Sequence, residues 1–326
     1  MKIRNIRLSN VTITNRPVVG ESVFTTTGTY TWVCPPEVYN VSVVCIGPGA
    51  VANALLNPGG GPGGALAWKN NIPVTPGNVY TVYNGTYSAY HSNDAYGARY
   101  VPSSAFQIEN LANNGINLAV MAQGSDWNLA SPMNSYFIIG DGGGYGGWSM
   151  SDGQPGVGAG AAYRTGCGGA GGYTGNGGRG GSGQNGTYLA NAWLGANLMY
   201  GQPGQGGGGG GGGGYDYSPT DVPSPNGMYY DGISFGGGTG IYGQGENGVG
   251  GDGIQAGWGN VLVGNSGDAG SAGTGALFGG GIIIPNPYGI TSSPGAVRII
   301  WPGAIRKFPN TNTSEAGVVY SYNTNQ

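Results

Sequence analysis

Apolar and polar positions partly alternate along residues 3–14 (IRNIRLSNVTIT), 22–33 (SVFTTTGTYTWV) and 38–46 (VYNVSVVCI). A period of two carried by β-branched and aromatic side chains predicts half-buried strands. Pro35 and Pro36 punctuate the second and third of these runs, and further on Thr75-Pro76-Gly77 reads as a turn between the strand-like ALAWKNNIPV and NVYTVYNG. A last strand, AVRIIW, is expected at 296–301. Between these ends the alternation gives way to glycine.

The chain holds 74 glycines in 326 residues, with an unbroken run of nine from Gly206 to Gly214. Gly166, Gly169, Gly172, Gly175, Gly178 and Gly181 follow one another in steps of three, and Gly264, Gly267, Gly270 and Gly273 repeat the step before Ala276 breaks it. Three is the period neither of an α-helix nor of a strand. It is the period of an extended left-handed helix of the polyproline-II type, whose glycine-only face lets a neighbouring backbone approach within hydrogen-bonding distance. Collagen shares the period but does not tolerate so many interruptions. Short helices packed within one chain do, because interruptions become turns.

Composition narrows the picture further. Charged residues make up 8% of the chain, far below the roughly 25% of an average domain. Such glycine content without a strict period usually signals disorder, yet 22 Tyr and 7 Trp argue for a packed chain. Fixing each residue's backbone costs roughly 1–2 kcal/mol, most for glycine. A dense lattice of backbone N–H···O=C bonds is the expected compensation. Charge divides the chain as texture does: residues 1–69 are net +3, 70–297 net −8 and 298–326 net +2. The expected fold is mainly β: a β-sandwich-like base from N- and C-terminal strands, a polyglycine-II helix bundle inserted in it, and essentially no α-helix. Its parts would be an attachment strand at 1–20, a discontinuous base at 21–85 plus 290–305, a glycine-rich insertion with loops at 86–289, and a tail at 306–326. Insertions whose ends meet are thermodynamically tolerable.

Chemistry finds few footholds. A lone histidine, His91, has no partner constellation for nucleophilic catalysis. Cys34, Cys45 and Cys167 lack metal-ligand spacing and fit a reducing compartment as buried thiols, although Cys34 and Cys45 would pair if their strands were neighbours. Asp216, Asp221 and Asp231 share one inter-glycine segment, the residue type used in glycoside cleavage, but acidic residues are scattered throughout the middle of the chain. Asp252 and Asp268 lie in glycine turns of the kind that suits calcium, without the regular repeat such sites show, and solvated carboxylates are the simpler reading. GxGxxG-like matches arise by chance in so much glycine. A net charge of −3 with no basic stripe speaks against nucleic acid, and no run of 18 apolar residues spans a membrane. The N-terminus also lacks the apolar core of a secretory signal, so synthesis in the cytosol is expected. No enzyme, cofactor or metal is expected.

Binding suits the remaining pattern. Segments between glycine runs gather rings and amides: Tyr87, Tyr90, His91 and Tyr96; Tyr188, Trp193 and Tyr200; Tyr215, Tyr217, Tyr229 and Tyr230. Aromatic faces beside Asn and Asp suit sugar rings or protein loops, and a rigid scaffold would hold them in place. The plainer alternative is that these rings pack over glycine surfaces within one particle.

The ordered series FTTTGTYTWVCPPEVYNVSVVCIGPG, GGALAWKNNIPVTPGNVYTV, GGAGGYTGNGGRGG, GIYGQGENG and SPGAVRIIWPGAIRKFPNTNT resembles the glycine-rich domain of marine T4-like phage virion and tail-fibre proteins, those of cyanophages especially. The resemblance runs from about Val23 to Thr313. Its middle is similar in style to tail-fibre tip adhesins, in which polyglycine-II helices pack together and loops between glycine motifs touch the bacterial receptor. Two departures stand out: residues 50–57 read AVANALLN where the family is richer in glycine, and no fibrous shaft or heptad repeat is present. The resemblance implies a virion protein that attaches to bacterial surface polysaccharide or an outer-membrane protein, assembled in the host cytoplasm and released by lysis. Other virion proteins would be its partners, through residues 1–20 or the tail 314–326, and self-association by donated strands is possible in principle. The alternative is a structural subunit: a capsid or tail decoration, or a self-assembling extracellular filament.

Overall fold

The computed structural model describes residues 18–53, 61–85, 103–111, 115–125, 138–147, 167–181, 201–211, 236–251, 278–280, 282–284, 293–310 and 320–321. Among the described residues the secondary structure is β, with no helix. Six strands form one sheet: β1 (Gly20–Phe24), β3 (Asn40–Ile46), β5 (Leu66–Pro73), β10 (Gly142–Gly144), β12 (Ala296–Trp301) and β13 (Tyr320–Ser321), in the order β10-β5-β3-β12-β1-β13. A second sheet runs β2 (Gly28–Val33), β6 (Val79–Asn84), β7 (Ser103–Leu111), β8 (Gly115–Gln123) and β9 (Ile138–Ile139). Both are antiparallel except that β13 lies parallel to β1. A small parallel pair joins β4 (Val51–Asn53) to β11 (Ile282–Ile284).

The two sheets share one core. Val41, Val43 and Cys45 from β3 and Val297, Ile299 and Trp301 from β12 meet Trp32, Tyr80, Val82, Phe106 and Val120 from the second sheet. At its centre Trp32 lies 5.9 Å from Trp301 and 6.0 Å from Phe106, centroid to centroid, in the tilted and edge-on geometries that aromatic rings favour. The intervening positions of β3 and β12, Val44, Ile46, Ala296 and Ile300, point the other way. They are buried too, against Tyr173, Ile241, Phe278 and Phe308. Strands covered on both faces read as near-continuous apolar runs, which is why NVSVVCI and AVRIIW lose the alternation of half-exposed strands.

The structure departs from the sequence reading in three places. Residues 22–33, expected as one strand, break at Thr25–Thr27, so that β1 joins one sheet and β2 the other. Strands β7, β8, β9 and β10 lie inside the range assigned to the glycine-rich insertion, yet the first three extend the second sheet from β6 and β10 adds an edge to the six-stranded sheet on β5. Residues 320–321, placed in the tail, add a strand to the edge of β1. The strand expected at 3–14 lies outside the described residues. All three cysteines are free and buried, Cys34 and Cys45 within the shared core.

Candidate functional site

Glycine-rich segments 167–181, 201–211 and 236–251 form a layer on the outer face of the six-stranded sheet, and their backbones bond at a step of three. The amides of Gly168 and Gly171 donate to the carbonyls of Gly61 and Gly64 at 3.0 and 2.9 Å. Those of Gly169 and Gly172 donate to Gly178 and Gly175 at 2.9 and 2.8 Å, and those of Ala170 and Tyr173 to Gly237 and Gly206 at 2.9 and 2.7 Å. Three successive residues thus address three different neighbours, and the first two are met again three residues on, whereas Ala170 and Tyr173 reach different segments, 236–251 and 201–211. A strand in a pleated sheet addresses two, at period two. The same step recurs where Gly248 and Gly251 donate to Gly208 and Gly211, at 2.9 and 2.8 Å, and where Gly204 and Gly201 donate to Gly248 and Gly251, both at 2.8 Å.

Absence of side chains is a condition of this packing. A Cβ at Gly168 or Gly171 would strike the carbonyl of Gly147 or Gly144, and one at Gly169 or Gly172 that of Gly209 or Gln205. The third face carries the residues with side chains: Ala170 and Tyr173, both fully buried. The run of glycines from 169 to 181 is not one straight segment. It bends at Tyr173–Gly175, so that Gly175 sits at a turn and a Cβ there would crowd first the Cβ of Gln205, at 2.7 Å, and then its carbonyl carbon, at 3.0 Å.

Tyr173 ties the layer to the sheet. Its hydroxyl donates to Gly240 O (3.1 Å) and accepts from Gly243 N (3.0 Å), its carbonyl accepts from Trp68 Nε1 (2.7 Å), and its ring stacks on Phe308 at 5.8 Å. Burial pushes the hydroxyl above its ordinary range, partly offset by the Gly243 hydrogen bond and the charge of Arg298. Arg298 makes the second tie. Buried on β12, it donates through Nε and Nη2 to Glu21 Oε2 of β1, through Nη1 to Ile241 O (3.1 Å), and places its guanidinium 4.6 Å from the centre of the Tyr242 ring. Arg306 donates to Gly20 O at 2.6 Å and reaches the same Glu21 oxygen at 3.5 Å. Desolvation and the neighbouring Arg298 lower the Arg306 pKa, and Glu21 opposes them.

The layer has two unlike ends. Near Tyr173, segments turn back tightly, at Tyr173–Gly175, Gln205–Gly207 and Ile241–Gly243. This is also where the chain enters the fold, since Gly20 pairs with Trp301 at the end of β12. At the other end, past Ile46 and Ala296, the described segments begin and stop. There Gly147 N donates to Gly169 O (2.7 Å), Gln202 N to Arg179 O (2.7 Å) and Gly237 N to Gly210 O (2.8 Å). The described flanks on either side of residues 148–166, 182–200 and 212–235 are therefore hydrogen-bonded neighbours. Ser125 Oγ donates to Pro62 O (2.8 Å), Gly251 N donates to Gly211 O (2.8 Å), and Gly85 meets Ser104 and Gly295 beside Ile46, bringing the flanks of 54–60, 86–102 and 126–137 and the Gly251 flank of 252–277 to the same end, while Phe278, the other flank of 252–277, bridges Thr239 and packs with Ile241 and Tyr173.

All ten aromatic candidates lie in these stretches, outside the described residues: Tyr87, Tyr90 and Tyr96 in 86–102; Tyr188, Trp193 and Tyr200 in 182–200; Tyr215, Tyr217, Tyr229 and Tyr230 in 212–235. His91, Asp216, Asp221, Asp231, Asp252 and Asp268 lie there too, as do Gly166, Gly264, Gly267, Gly270 and Gly273. Of the periodic glycines, Gly169, Gly172, Gly175, Gly178 and Gly181 are described. By sequence, stretches 86–102, 126–137, 148–166, 182–200, 212–235 and 252–277 carry eight aspartates and two arginines. Sequence reasoning missed Tyr173, Arg298 and Glu21. The one legible signal was Tyr173 itself, a lone large side chain inside GGAGGYTGNGG.

Among the described residues no group of His, Cys, Asp and Glu could hold a metal ion, and no helix is long and apolar enough to cross a membrane. No protein-family model matches the chain, and no curated protein matches it.

Proposed function

We propose that the protein is a non-enzymatic phage virion protein, a tail-fibre tip adhesin, and that its glycine-rich layer is a polyglycine-II bundle holding receptor-binding loops. The observation that carries this reading is the segregation of the layer's ends. Most flanks of the aromatic- and aspartate-bearing stretches gather at one end, while the chain enters at the other. Support for the bundle comes from amide donors that step in threes, the repeat of that helix. Main-chain packing leaves few side chains to adjust when a loop changes, so loops can vary over a fixed support. Attachment to a polysaccharide or outer-membrane protein then rests on rings and amides: Tyr87, Tyr90, Tyr96, Tyr188, Trp193, Tyr215, Tyr217, Tyr229 and Tyr230.

The test is adsorption. Purified, folded protein should bind cells of the bacterium that its phage infects, and should compete with the phage for attachment in proportion to occupancy. Alanine at Tyr188 and Trp193, or at Tyr215 and Tyr217, should weaken cell binding by about 10-fold or more without lowering thermal stability. A folded protein that neither binds cells nor slows adsorption would overturn the adhesin reading in favour of a structural subunit. Release of reducing sugar from the host polysaccharide would overturn the non-enzymatic one.

A further inference from the structure

A sheet's outermost strands leave a row of backbone groups unpaired, and folded chains keep such edges short, charged, bulged or covered. Among the described residues the six-stranded sheet ends on β10 and β13, and the second sheet on β2 and β9. Strands β9 and β13 are two residues long, and β10 is three glycines with Gly144 close against Gly175. Strand β2 is unlike them. Its sequence GTYTWV runs for six residues, every one in register with β6 and without a bulge, and it holds no charge and no proline.

The free side of β2 follows from its hydrogen bonds. Cys34, the next residue, donates to Asn78 O and accepts from Gly77 N, both at 2.9 Å, so its backbone faces the β6 side. Backbone direction alternates along a strand, so Trp32, Tyr30 and Gly28 face β6 as well, while Val33, Thr31 and Thr29 face away. The outward amides and carbonyls of these three meet no partner among the described residues. Their side chains are exposed too, Val33 by 55%.

This edge is complementary to itself. Laid antiparallel about a twofold axis through Thr31, two copies of β2 set Thr31 opposite the partner's Thr31, and Thr29 opposite the partner's Val33. Each of these residues faces outward, so every free amide meets a free carbonyl. The facing side chains are all β-branched, which suits cross-strand packing, and no like charges meet. Glu21 and Glu37, the charges nearest in sequence, lie on β1 and beyond Pro35 and Pro36. Val79, Thr81 and Tyr83, the register partners of Val33, Thr31 and Thr29, continue the same uncharged face inward. We propose that β2 is the edge by which two copies of this chain join, making one continuous sheet across a twofold axis at Thr31. Such an interface closes on itself as a dimer. It is narrow beside the roughly 1,600 Å² of a standard interface, so a dissociation constant of roughly 1–100 µM is expected. The proposal does not depend on what the loops recognise.

Sedimentation of the full chain between about 1 and 300 µM tests it, with a monomer–dimer equilibrium expected. Thr31→Lys and Thr31→Glu should each weaken dimerisation about 10-fold or more, because like charges then face each other across the axis. Mixed in equal amounts, the two variants should recover a heterodimer. Both should keep the parent's melting temperature, since Thr31 is exposed. Oxidation should link Thr31→Cys into a disulfide dimer but not Thr81→Cys, whose two copies would stand about 15 Å apart, one strand further in on each side. A chain still monomeric at about 300 µM, a dimer indifferent to both charge variants, charge variants that do not recombine, or open-ended oligomers would each overturn the proposal. So would a dimer that forms only after residues 2–14 are deleted, because the chain's own N-terminal segment would then be the occupant of the edge.

Discussion

Tyr173 is one side chain that holds two layers together. Its hydroxyl is buried between two backbone partners, so Tyr173→Phe leaves Gly240 O and Gly243 N each short of a bond. The expected cost is about 1–3 kcal/mol, read from the urea midpoint at unchanged slope. Glu21 carries a different debt. It is the acceptor for a guanidinium buried on β12, and Glu21→Ala strands that charge, for about 3 kcal/mol of destabilisation. A double cycle with Arg298→Met should recover part of the loss if the stranded charge is its cause. The thiols report on pH. Burial pushes Cys34 up to about 11 and Cys167 up to about 12, against an ordinary value of 9.0. The unfolded chain therefore loses these protons first on titration toward alkali, and stability falls as pH rises from about 9 through the folded values. Denaturant midpoints at pH 8 and 10.5 check this. A thiol reagent at pH 8 should label none of the three cysteines until the chain unfolds.

At the scale of the element, glycine is required most strictly where a backbone carbonyl approaches closely. Gly169→Val puts a branched side chain into the Gly209 carbonyl and should cost about 3 kcal/mol or more, or prevent folding. Gly175→Val, at the bend, meets the Cβ of Gln205 and should be milder; the order of the two melting temperatures is the check. Nothing lies within 4 Å of a Cβ at Gly77, though its φ of +80° strains any replacement. Strands β2 and β6 were legible because half-buried β carries its own period, and NVSVVCI and AVRIIW because β-branched residues crowd a short run between turn signals. The break at Thr25–Thr27 was not, since TYTWV continues the alternation of SVF across it. Nor was the placement of β7 and β8: SSAFQIENL and GINLAVMAQ are ordinary strand sequences, but they sit amid glycine-rich texture, and only pairing with β6 assigns them to the second sheet. The step of three was legible along 166–181. Its bend at Tyr173 was not, because a glycine run looks alike on either side of a turn.

Across the whole molecule the organisation is two-ended: the described chain enters at Gly20 at one end and most loop flanks gather at the other, with a layer of touching main chains between. Three stretches begin and end on hydrogen-bonded neighbours, so they should be replaceable. Exchanging 182–200 for a four-residue Gly-Ser linker should leave the melting temperature within a few degrees, because Arg179 and Gln202 already meet, while cell binding changes. Everything at this scale rests on the helical form of the glycine segments, and their backbone dihedrals in a high-resolution crystal structure test it most directly. For Gly168–Gly172, Gly209–Gly211 and Gly248–Gly251 the account predicts angles clustered about the left-handed threefold helix, with φ about −75° and ψ about +145°. Pleated-sheet angles, with φ magnitudes near 120–140° and amide donors alternating at every second residue, would contradict it.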